Sequence, residues 1–284
     1  MTTTVKVNGQ DVKVHALCTG TVAVKSAFKA RRGRGGLEKL NMLLGKEFTP
    51  FLPIWVWVIE HPEGLIVIDT GENESIMDPG LYLSGEQWVD TYPFSKIARF
   101  RISREDELDR QFDSVGLRLD DVRLVVLTHL HLDHTDGLKF FPGSEVIVGE
   151  HEFRRPISNM ASTYPSWFKP HLVDYSKECV PVFGKAWPIT AREDLLYIST
   201  PGHTHGHSSV LFRTDSFDIL FAGDISYDQG QVLRNEYAGV NADFGKARGT
   251  YEKVLGYARV RPLIYLPSHD QESGQRLFQR SFLI

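Results

Sequence analysis

The chain has 284 residues, 42% hydrophobic and 24% charged, a globular composition unlike that of disordered or fibrous proteins. Its formal charge of −4 offers no footprint for non-specific nucleic-acid binding. The longest apolar run, residues 51–59, is far shorter than the ~20 residues of a membrane span, and no apolar signal segment is visible at the N-terminus. We therefore expect a soluble, cytoplasmic protein without membrane or nucleic-acid partners, in which Cys18 and Cys179 are free thiols.

The first predicted elements are two β-hairpins. Alternating valines flank Asn8-Gly9, a dipeptide that tolerates positive φ and is typical of a two-residue hairpin turn. Two further apolar runs, residues 54–59 and 65–68, are joined by a Pro- and Gly-containing turn and end at Asp69.

The rest of the chain alternates between short apolar strands and helical patterns. A helix is predicted over 105–115, with apolar residues at i, i+4 and i+7, and a fully apolar strand over 123–127. Further strands are predicted at 145–148, 195–199, 209–212, 218–221 and 263–266, and further helices at 242–257 and 271–279. This order predicts one α/β domain over residues 1–284, with two sheets packed face to face and helices outside, which makes four layers.

Three long segments show no clear periodicity, at 28–52, 78–100 and 156–188. Loops of this length in a compact domain are usually functional or mobile. The sequence leaves the roles of 78–100 and 156–188 open.

The motif that carries most chemical information follows the strand at 123–127. Residues 128–134 read Thr-His-Leu-His-Leu-Asp-His, with His129, His131, Asp133 and His134 as potential ligands. Neutral imidazole and carboxylate are the donors that zinc and its first-row neighbours prefer. A His-rich surface loop is the plain alternative, but composition alone would make this string very rare.

Three more polar residues follow other predicted strands. His203 comes after 195–199, Asp224 after 218–221, and His269 after 263–266. Each is weak evidence alone, since a Gly-Asp pair after a strand is usually a turn. In α/β proteins, however, ligands gather where several strands end along one edge, so together these residues predict one site.

On these residues the sequence resembles the metallo-β-lactamase-fold hydrolases, over nearly the whole chain from Asp69 to Asp270. The resemblance implies a four-layer αβ/βα sandwich, two mixed sheets flanked by helices, with a two-metal site. It assigns His129, His131 and His203 to one ion, Asp133, His134 and His269 to the other, and Asp224 to both. The most suitable metal is zinc, while iron, cobalt and manganese stay open.

Two cations that share a water would supply a hydroxide at neutral pH and polarise a carbonyl oxygen. Asp224 stands where one subclass of true β-lactamases has cysteine. His131 stands where flavo-diiron proteins, which resemble the family, have glutamate, and this argues against oxygen reduction.

Within the family the sequence is most similar to the N-acyl-homoserine lactone lactonases, on the metal motif, the stretch from Asp224 to Tyr227, and residues 235–241. This resemblance implies that the Tyr227 phenol faces the substrate carbonyl, although a buried core tyrosine is the alternative. It also implies that Asp133 relays a proton to the leaving alkoxide, with a role as ligand alone left open.

Several other residues are expected to support this site. Asp69 is expected to hydrogen-bond a metal-binding histidine, as the family implies, and His207 to support the ligands from behind. Apolar residues of the 28–52 segment, including Leu43 and Phe48, are hypothesised to cap the site and grip an acyl chain. Ordinary core packing is equally compatible with that segment.

These observations predict a dinuclear metal hydrolase that opens the lactone ring of N-acyl-homoserine lactones by attack of a metal-bridging hydroxide, and so silences quorum signals. The main alternative is another hydrolase of this fold that acts on a different lactone, ester or thioester, as glyoxalase II does. RNA cleavage is disfavoured by the acidic charge, and a non-catalytic receptor by the complete ligand set. The N-terminal hairpin and the aromatic residues around Trp88, Tyr92 and Phe94 are candidates for a homodimer interface, with burial in the core of the same chain left open.

Overall fold

A computed structural model describes residues 1–30, 44–78, 96–176 and 178–284. Within these ranges the strands are β1 Thr2–Val7, β2 Gln10–Val24, β3 Leu52–His61, β4 Gly64–Ile68, β5 Ala98–Arg101, β6 Val122–Val126, β7 Glu145–Gly149, β8 His171–Val173, β9 Glu178–Val180, β10 Gly184–Pro188, β11 Leu195–Ser199, β12 Ser208–Arg213, β13 Asp218–Gly223 and β14 Leu263–Pro267. The helices are α1 Ser26–Lys29, α2 Leu108–Ser114, α3 Leu132–Thr135, α4 Glu150–Arg154, α5 Gln229–Arg234, α6 Phe244–Ala258 and α7 Ser273–Gln279.

The strands form two mixed sheets. The first has the order β1-β2-β3-β4-β6-β7-β8, with β5 paired to β2, and the second has the order β14-β13-β12-β11-β10-β9. Strands β4, β6 and β7 run parallel, as do β13 and β14. Because β12 lies antiparallel to both β11 and β13, the strands β11, β13 and β14 all end at the same edge.

The main core lies between the two sheets, where Trp57 and Val126 of the first sheet belong to the same apolar cluster as Tyr197 and Phe221 of the second. Two further clusters cover the outer faces. Phe112 of α2 belongs to the cluster on the first sheet, and α6 packs against the second. The predicted four-layer sandwich is therefore observed: apolar faces are buried between the sheets and under the helices.

The N-terminal hairpin is confirmed, with Asn8 and Gly9 both at positive φ in a two-residue turn. The helix predicted over 105–115 is shorter, because Glu107 adopts an extended backbone that separates a 3₁₀ turn at Arg104–Asp106 from α2. The helix predicted from 242 begins at Phe244, since the Asp243 carboxylate caps it by accepting the Lys246 backbone N–H at 3.0 Å.

The segment 156–188, which lacks a clear period, contains β8, β9 and β10. These short strands extend the edges of both sheets, and strands of three to five residues are too short to show a period. Of the cysteines, Cys18 is a free thiol, as predicted. Among the described helices, none combines the length and the apolar character that crossing a membrane requires. Leu43, Trp88, Tyr92 and Phe94 lie outside the described residues.

Candidate metal centre

The candidate site lies where strands of both sheets end. The loop after β6 carries His129 and His131, and α3 follows at once with Asp133 and His134. The loops after β11, β13 and β14 supply one further donor each, His203, Asp224 and His269 respectively. A backbone hydrogen bond of 3.0 Å from Trp55 N–H to the Ser268 carbonyl holds the edges of the two sheets together beside the site.

The first cluster consists of three imidazoles. Nδ1 of His131 lies 3.0 Å from Nε2 of His129 and 2.9 Å from Nε2 of His203. These three nitrogens face one another and could hold one metal ion. They belong to loops that are more than 70 positions apart in sequence, so only the fold brings them together.

The second cluster consists of Asp133, His134 and His269. Nε2 of His269 lies 3.3 Å from Oδ2 of Asp133, and Nε2 of His134 lies 3.8 Å from its Oδ1. An imidazole pair with one carboxylate is again a donor set that suits zinc and its neighbours.

Asp224 stands between the two clusters. Its Oδ2 lies 3.5 Å from Nε2 of His203 in the first cluster and 3.4 Å from Nε2 of His269 in the second. Its Oδ1 lies 3.5 Å from Nε2 of His134. A single carboxylate therefore faces donors of both clusters, as the sequence-based assignment of Asp224 to both ions expects.

The buried polar atoms of this region fit divalent cations. Nε2 of His134 and Oδ1 of Asp224 are buried without a hydrogen-bond partner, although unpaired buried polar atoms are costly. A bound cation would satisfy both atoms, because it would displace the proton from Nε2 and accept lone pairs from Nε2 and from Oδ1, which lie 3.5 Å apart. The seven residues predicted from the sequence are thus all brought together in an arrangement that could hold metal.

The electrostatics of the site follow from burial and from the carboxylates. Burial lowers the pKa of His129 and His203 far below the ordinary range, and neighbouring imidazoles lower both further, although the Asp224 carboxylate opposes the shift at His203. Burial alone would raise the pKa of Asp133, but His134 and His269 bring it to about 2. Burial alone would lower the pKa of His134, but Asp69, Asp224 and Asp133 raise it to about 9.

Asp69 is placed as the sequence analysis expects, against a candidate ligand. Its Oδ2 accepts hydrogen bonds from Nδ1 of His134 and from the Thr128 hydroxyl, both at 2.8 Å. Its Oδ1 accepts the Thr128 backbone N–H at 2.8 Å. The bond at Nδ1 leaves the Nε2 lone pair of His134 directed at the other donors.

His207 supports Asp224 through the backbone. Its Nε2 accepts the Asp224 N–H at 3.0 Å, while its Nδ1 lies 3.1 Å from the Thr200 carbonyl. Gly223 has φ +59°, and a Cβ there would lie 2.6 Å from Nε2 of His207. The imidazole thus occupies space that only a glycine at 223 leaves free.

Other supporting groups were not predicted from the sequence. Nδ1 of His269 donates to the Pro53 carbonyl at 2.9 Å, and the indole of Trp55 donates to the Asp270 carbonyl at 2.8 Å. A buried Arg276–Asp270 ion pair of 2.9 Å holds the same loop. No local motif marks the contacts of His269 and Trp55, because each joins segments more than 200 positions apart. The ion pair is local, since Asp270 lies shortly before α7 and Arg276 lies on it.

Segment 156–188, whose role the sequence left open, also contacts the site. The Tyr164 hydroxyl donates a hydrogen bond of 3.4 Å to the carbonyl of Leu130, the residue between His129 and His131. Met160 packs against Leu132, the residue between His131 and Asp133. This part of the segment therefore packs against the loop that carries His129 and His131.

Tyr227 lies beside the second cluster. Its ring centroid is 5.8 Å from that of His269, and the residue is only 8% exposed. Burial and the charges of Asp224 and Asp133 raise the pKa of its phenol well above the ordinary value. The hydroxyl therefore keeps its proton and can donate it in a hydrogen bond.

A cavity of about 500 Å³ opens next to Tyr227 and His269. Leu52 lines it and packs against Tyr227. Phe48 is not among the described residues that line this cavity, and its ring lies under the Arg99 guanidinium, 3.9 Å from the ring centroid. Most of the cavity's other described lining is polar, including Asp228, Gln229 and Arg234.

The four-layer sandwich with a His/Asp cluster at one edge is the architecture of metallo-β-lactamase-fold proteins. A sequence model described as the metallo-β-lactamase superfamily matches residues 49–269. The chain therefore belongs to the metallo-β-lactamase superfamily, and the resemblance and fold inferred from the sequence are confirmed.

Relatives with curated names are similar over most of the chain. An N-acyl homoserine lactonase from Bacillus thuringiensis is 28% identical over 236 residues, which cover 80% of this chain and 86% of the relative. One from Bacillus cereus is 26% identical over 269 residues, covering 90% and 98%. A probable metallo-hydrolase of Mycobacterium tuberculosis is 28% identical over 229 residues, covering 76% and 71%.

Solved structures share the fold. An N-acyl homoserine lactone hydrolase with the product N-hexanoyl-L-homoserine at its catalytic metal centre aligns with a TM-score of 0.71 at 21% identity, covering 96% of both chains. A dizinc quorum-quenching lactonase aligns with a TM-score of 0.64 at 14% identity, covering 96% of this chain and 92% of the other.

Proposed function

We propose that this protein is a two-metal hydrolase that opens the lactone ring of N-acyl-homoserine lactones and thereby silences quorum signals. The observation that carries the proposal is the convergence of seven His and Asp side chains on one space with the Tyr227 phenol beside them. The substrate class is supported by the relatives named as N-acyl homoserine lactonases, since their alignments cover 80% or more of this chain.

Two ions fit the two clusters, with His129, His131 and His203 around one, Asp133, His134 and His269 around the other, and Asp224 facing both. When bound, two divalent cations supply Lewis acidity and a hydroxide nucleophile at neutral pH. The lowered pKa values of His129 and His203 keep these imidazoles neutral, with lone pairs free for a cation. Zinc is the metal we propose, since His and Asp donors suit it.

Tyr227 stabilises the charge that develops on the carbonyl oxygen. Its raised pKa keeps the phenol protonated at neutral pH, so it donates a hydrogen bond rather than repelling an oxyanion. A donor of this kind contributes about 2–4 kcal/mol to the transition state.

Asp133 acts both as a donor to the metal and as a carrier of the proton. With a pKa near 2 it is ionised, so a carboxylate oxygen can take the proton that the attacking hydroxide still carries after it has added to the carbonyl carbon. It then gives that proton to the ring oxygen that leaves as an alkoxide. The product is an N-acyl-homoserine, whose carboxylic acid ionises and acidifies the solution at neutral pH.

The test is proton release from hexanoyl- and decanoyl-homoserine lactone, with the bound metal of every sample measured. Asp224→Ala is the test variant, and Asp120→Ala, whose side chain is 86% exposed, is the matched control. We expect rapid acidification by the wild type and Asp120→Ala, and none by Asp224→Ala.

A wild type that holds two ions per chain yet leaves both lactones intact would sink the lactonase proposal. A glutathione thioester is assayed in parallel, because the same donors would serve the glyoxalase II-like alternative. Faster turnover of the thioester than of either lactone would favour that alternative.

A further inference from the structure

Glu152 is a fully buried carboxylate that belongs to none of the candidate metal clusters. It lies on α4, directly after β7, and it is 0% exposed. Glutamate is almost never fully buried unless its charge is paired or hydrogen-bonded. The hydrogen-bond partners of Glu152 must therefore account for its burial.

Its partners are the two loops that carry the first cluster. Oε1 accepts the Leu130 backbone N–H at 3.1 Å, and Leu130 stands between His129 and His131. Oε2 accepts the Thr204 hydroxyl at 2.6 Å, and Thr204 follows His203. One carboxylate thus joins the neighbours of all three imidazoles.

Packing brings the second loop close to α4. Gly206, which lies in the same loop as Thr204, is packed directly against Glu152. A Cβ at Gly206 would lie 2.2 Å from the backbone nitrogen of Glu152 and 2.5 Å from its Cα. Only glycine permits this approach, and Thr204 in the same loop is 0% exposed. The hydrogen bonds are therefore held in a tightly packed contact.

We propose that Glu152 is a positioning residue for the first metal cluster. By fixing Leu130 and Thr204 to one carboxylate, it holds the loops of His129, His131 and His203 at the separation that a shared cation requires. This inference rests on the proposed two-metal function. Groups that orient ligands in this way typically contribute a factor of 10–100 to metal affinity.

The effect is expected at one ion and not at the other. Among the described residues, the Glu152 carboxylate accepts hydrogen bonds neither from α3, which carries Asp133 and His134, nor from the loop of His269. His134 is hydrogen-bonded to Asp69 instead, and His269 to the Pro53 carbonyl. The loss of Glu152 should therefore weaken the ion of the first cluster and leave the ion of the second cluster bound.

The experiment measures zinc affinity by chelator competition, zinc per chain, and unfolding of the chelator-treated protein. The variants are Glu152→Ala and Glu152→Gln, whose amide oxygen can still accept the Leu130 N–H. Glu150→Ala removes a 44% exposed glutamate from the same helix and serves as the charge control. Val254→Ala, on the buried face of α6, serves as the control for lost stability.

We expect Glu152→Ala to bind one zinc ion as the wild type does and the other about 10–100-fold more weakly. Glu152→Gln should restore part of that affinity, and both controls should keep two ions. The positioning role is overturned if Glu152→Ala binds both ions with wild-type affinity, or if its affinity for both ions falls equally. It is also overturned if Val254→Ala loses as much zinc affinity as Glu152→Ala does. A wild type that binds no zinc would refute the proposed function itself, and this inference with it.

Discussion

Oδ2 of Asp69 lies 2.8 Å from Nδ1 of His134, with both side chains only 1% exposed. The pair places a carboxylate behind Nδ1 of His134, while Nε2 of the same ring faces the candidate ligands Asp133 and Asp224. The buried carboxylate therefore sets which nitrogen of His134 is free for a cation.

Asp69→Asn should lower zinc affinity about 10–100-fold, because it removes the charge that orients and polarises His134. Asp121→Asn, at a 62% exposed aspartate, is the control. Zinc retained against a competing chelator measures the effect. Equal retention by Asp69→Asn and the wild type would contradict it.

The stability of the metal-free protein should depend on pH through the protonation of His134. Burial lowers its pKa, but Asp69, Asp224 and Asp133 raise it to about 9, above the ordinary value of about 6.5. Because the pKa of His134 is higher in the folded than in the unfolded protein, protonation of His134 stabilises the folded state. This stabilisation is complete below pH ~6.5 and is lost as the pH rises towards about 9.

Zinc competes with that proton, so its affinity should rise over the same interval. Unfolding midpoints of the chelator-treated and zinc-loaded forms should therefore move apart as the pH rises from 6.5 to 9. In Asp69→Asn the difference between the two midpoints should change less with pH, because the variant lacks one of the carboxylates that raise the pKa of His134. A gap that does not change with pH would show that His134 is not protonated in the metal-free chain.

Tyr227→Phe should reduce kcat about 10²–10³-fold with little change in zinc content, because the variant loses only the proposed hydrogen bond to the oxyanion. Tyr237→Phe, at a tyrosine that packs on α6, is the control. Lactone turnover at saturating substrate measures the loss. An unchanged kcat would leave Tyr227 as a core residue, the alternative raised by the sequence.

His207→Ala should lower the free energy of unfolding by about 1–3 kcal/mol, since the Asp224 N–H loses its buried acceptor. Burial lowers the pKa of His207 to about 3, so the imidazole is neutral and the effect should not vary between neutral and mildly acidic pH. Urea unfolding of metal-free protein provides the measurement. A loss that grows as the pH falls from neutrality would contradict the neutral acceptor.

The acyl slot can be tested with Leu52 and Phe48. Leu52→Ala should raise KM more for decanoyl- than for hexanoyl-homoserine lactone, because Leu52 lines the cavity beside Tyr227. Phe48→Ala tests the contact predicted from the sequence, and Phe48 lies instead under Arg99. If Phe48→Ala changes the preference for acyl-chain length and Leu52→Ala does not, the acyl chain binds near Phe48 and not near Leu52.

Local chemistry made much of this site predictable from sequence. His129, His131, Asp133 and His134 lie within six positions, so their side chains stay near one another in any fold, although the structure divides them between two clusters. Alternating and fully apolar strands likewise determined the order of layers, because the burial of an apolar face depends on period and not on distant partners.

Only the tertiary structure decided what surrounds the ligands. Glu152 reads as an ordinary helical glutamate in the sequence, yet it is buried and bonded to Leu130 and Thr204. Its partners lie 22 and 52 positions away, and hydrogen bonds over such distances leave no periodic signal. Four candidate ligands can thus be predicted from the sequence because they are close along the chain, and His203, Asp224 and His269 because each follows a predicted strand. The groups that orient these seven residues depend instead on which loops the two packed sheets bring together.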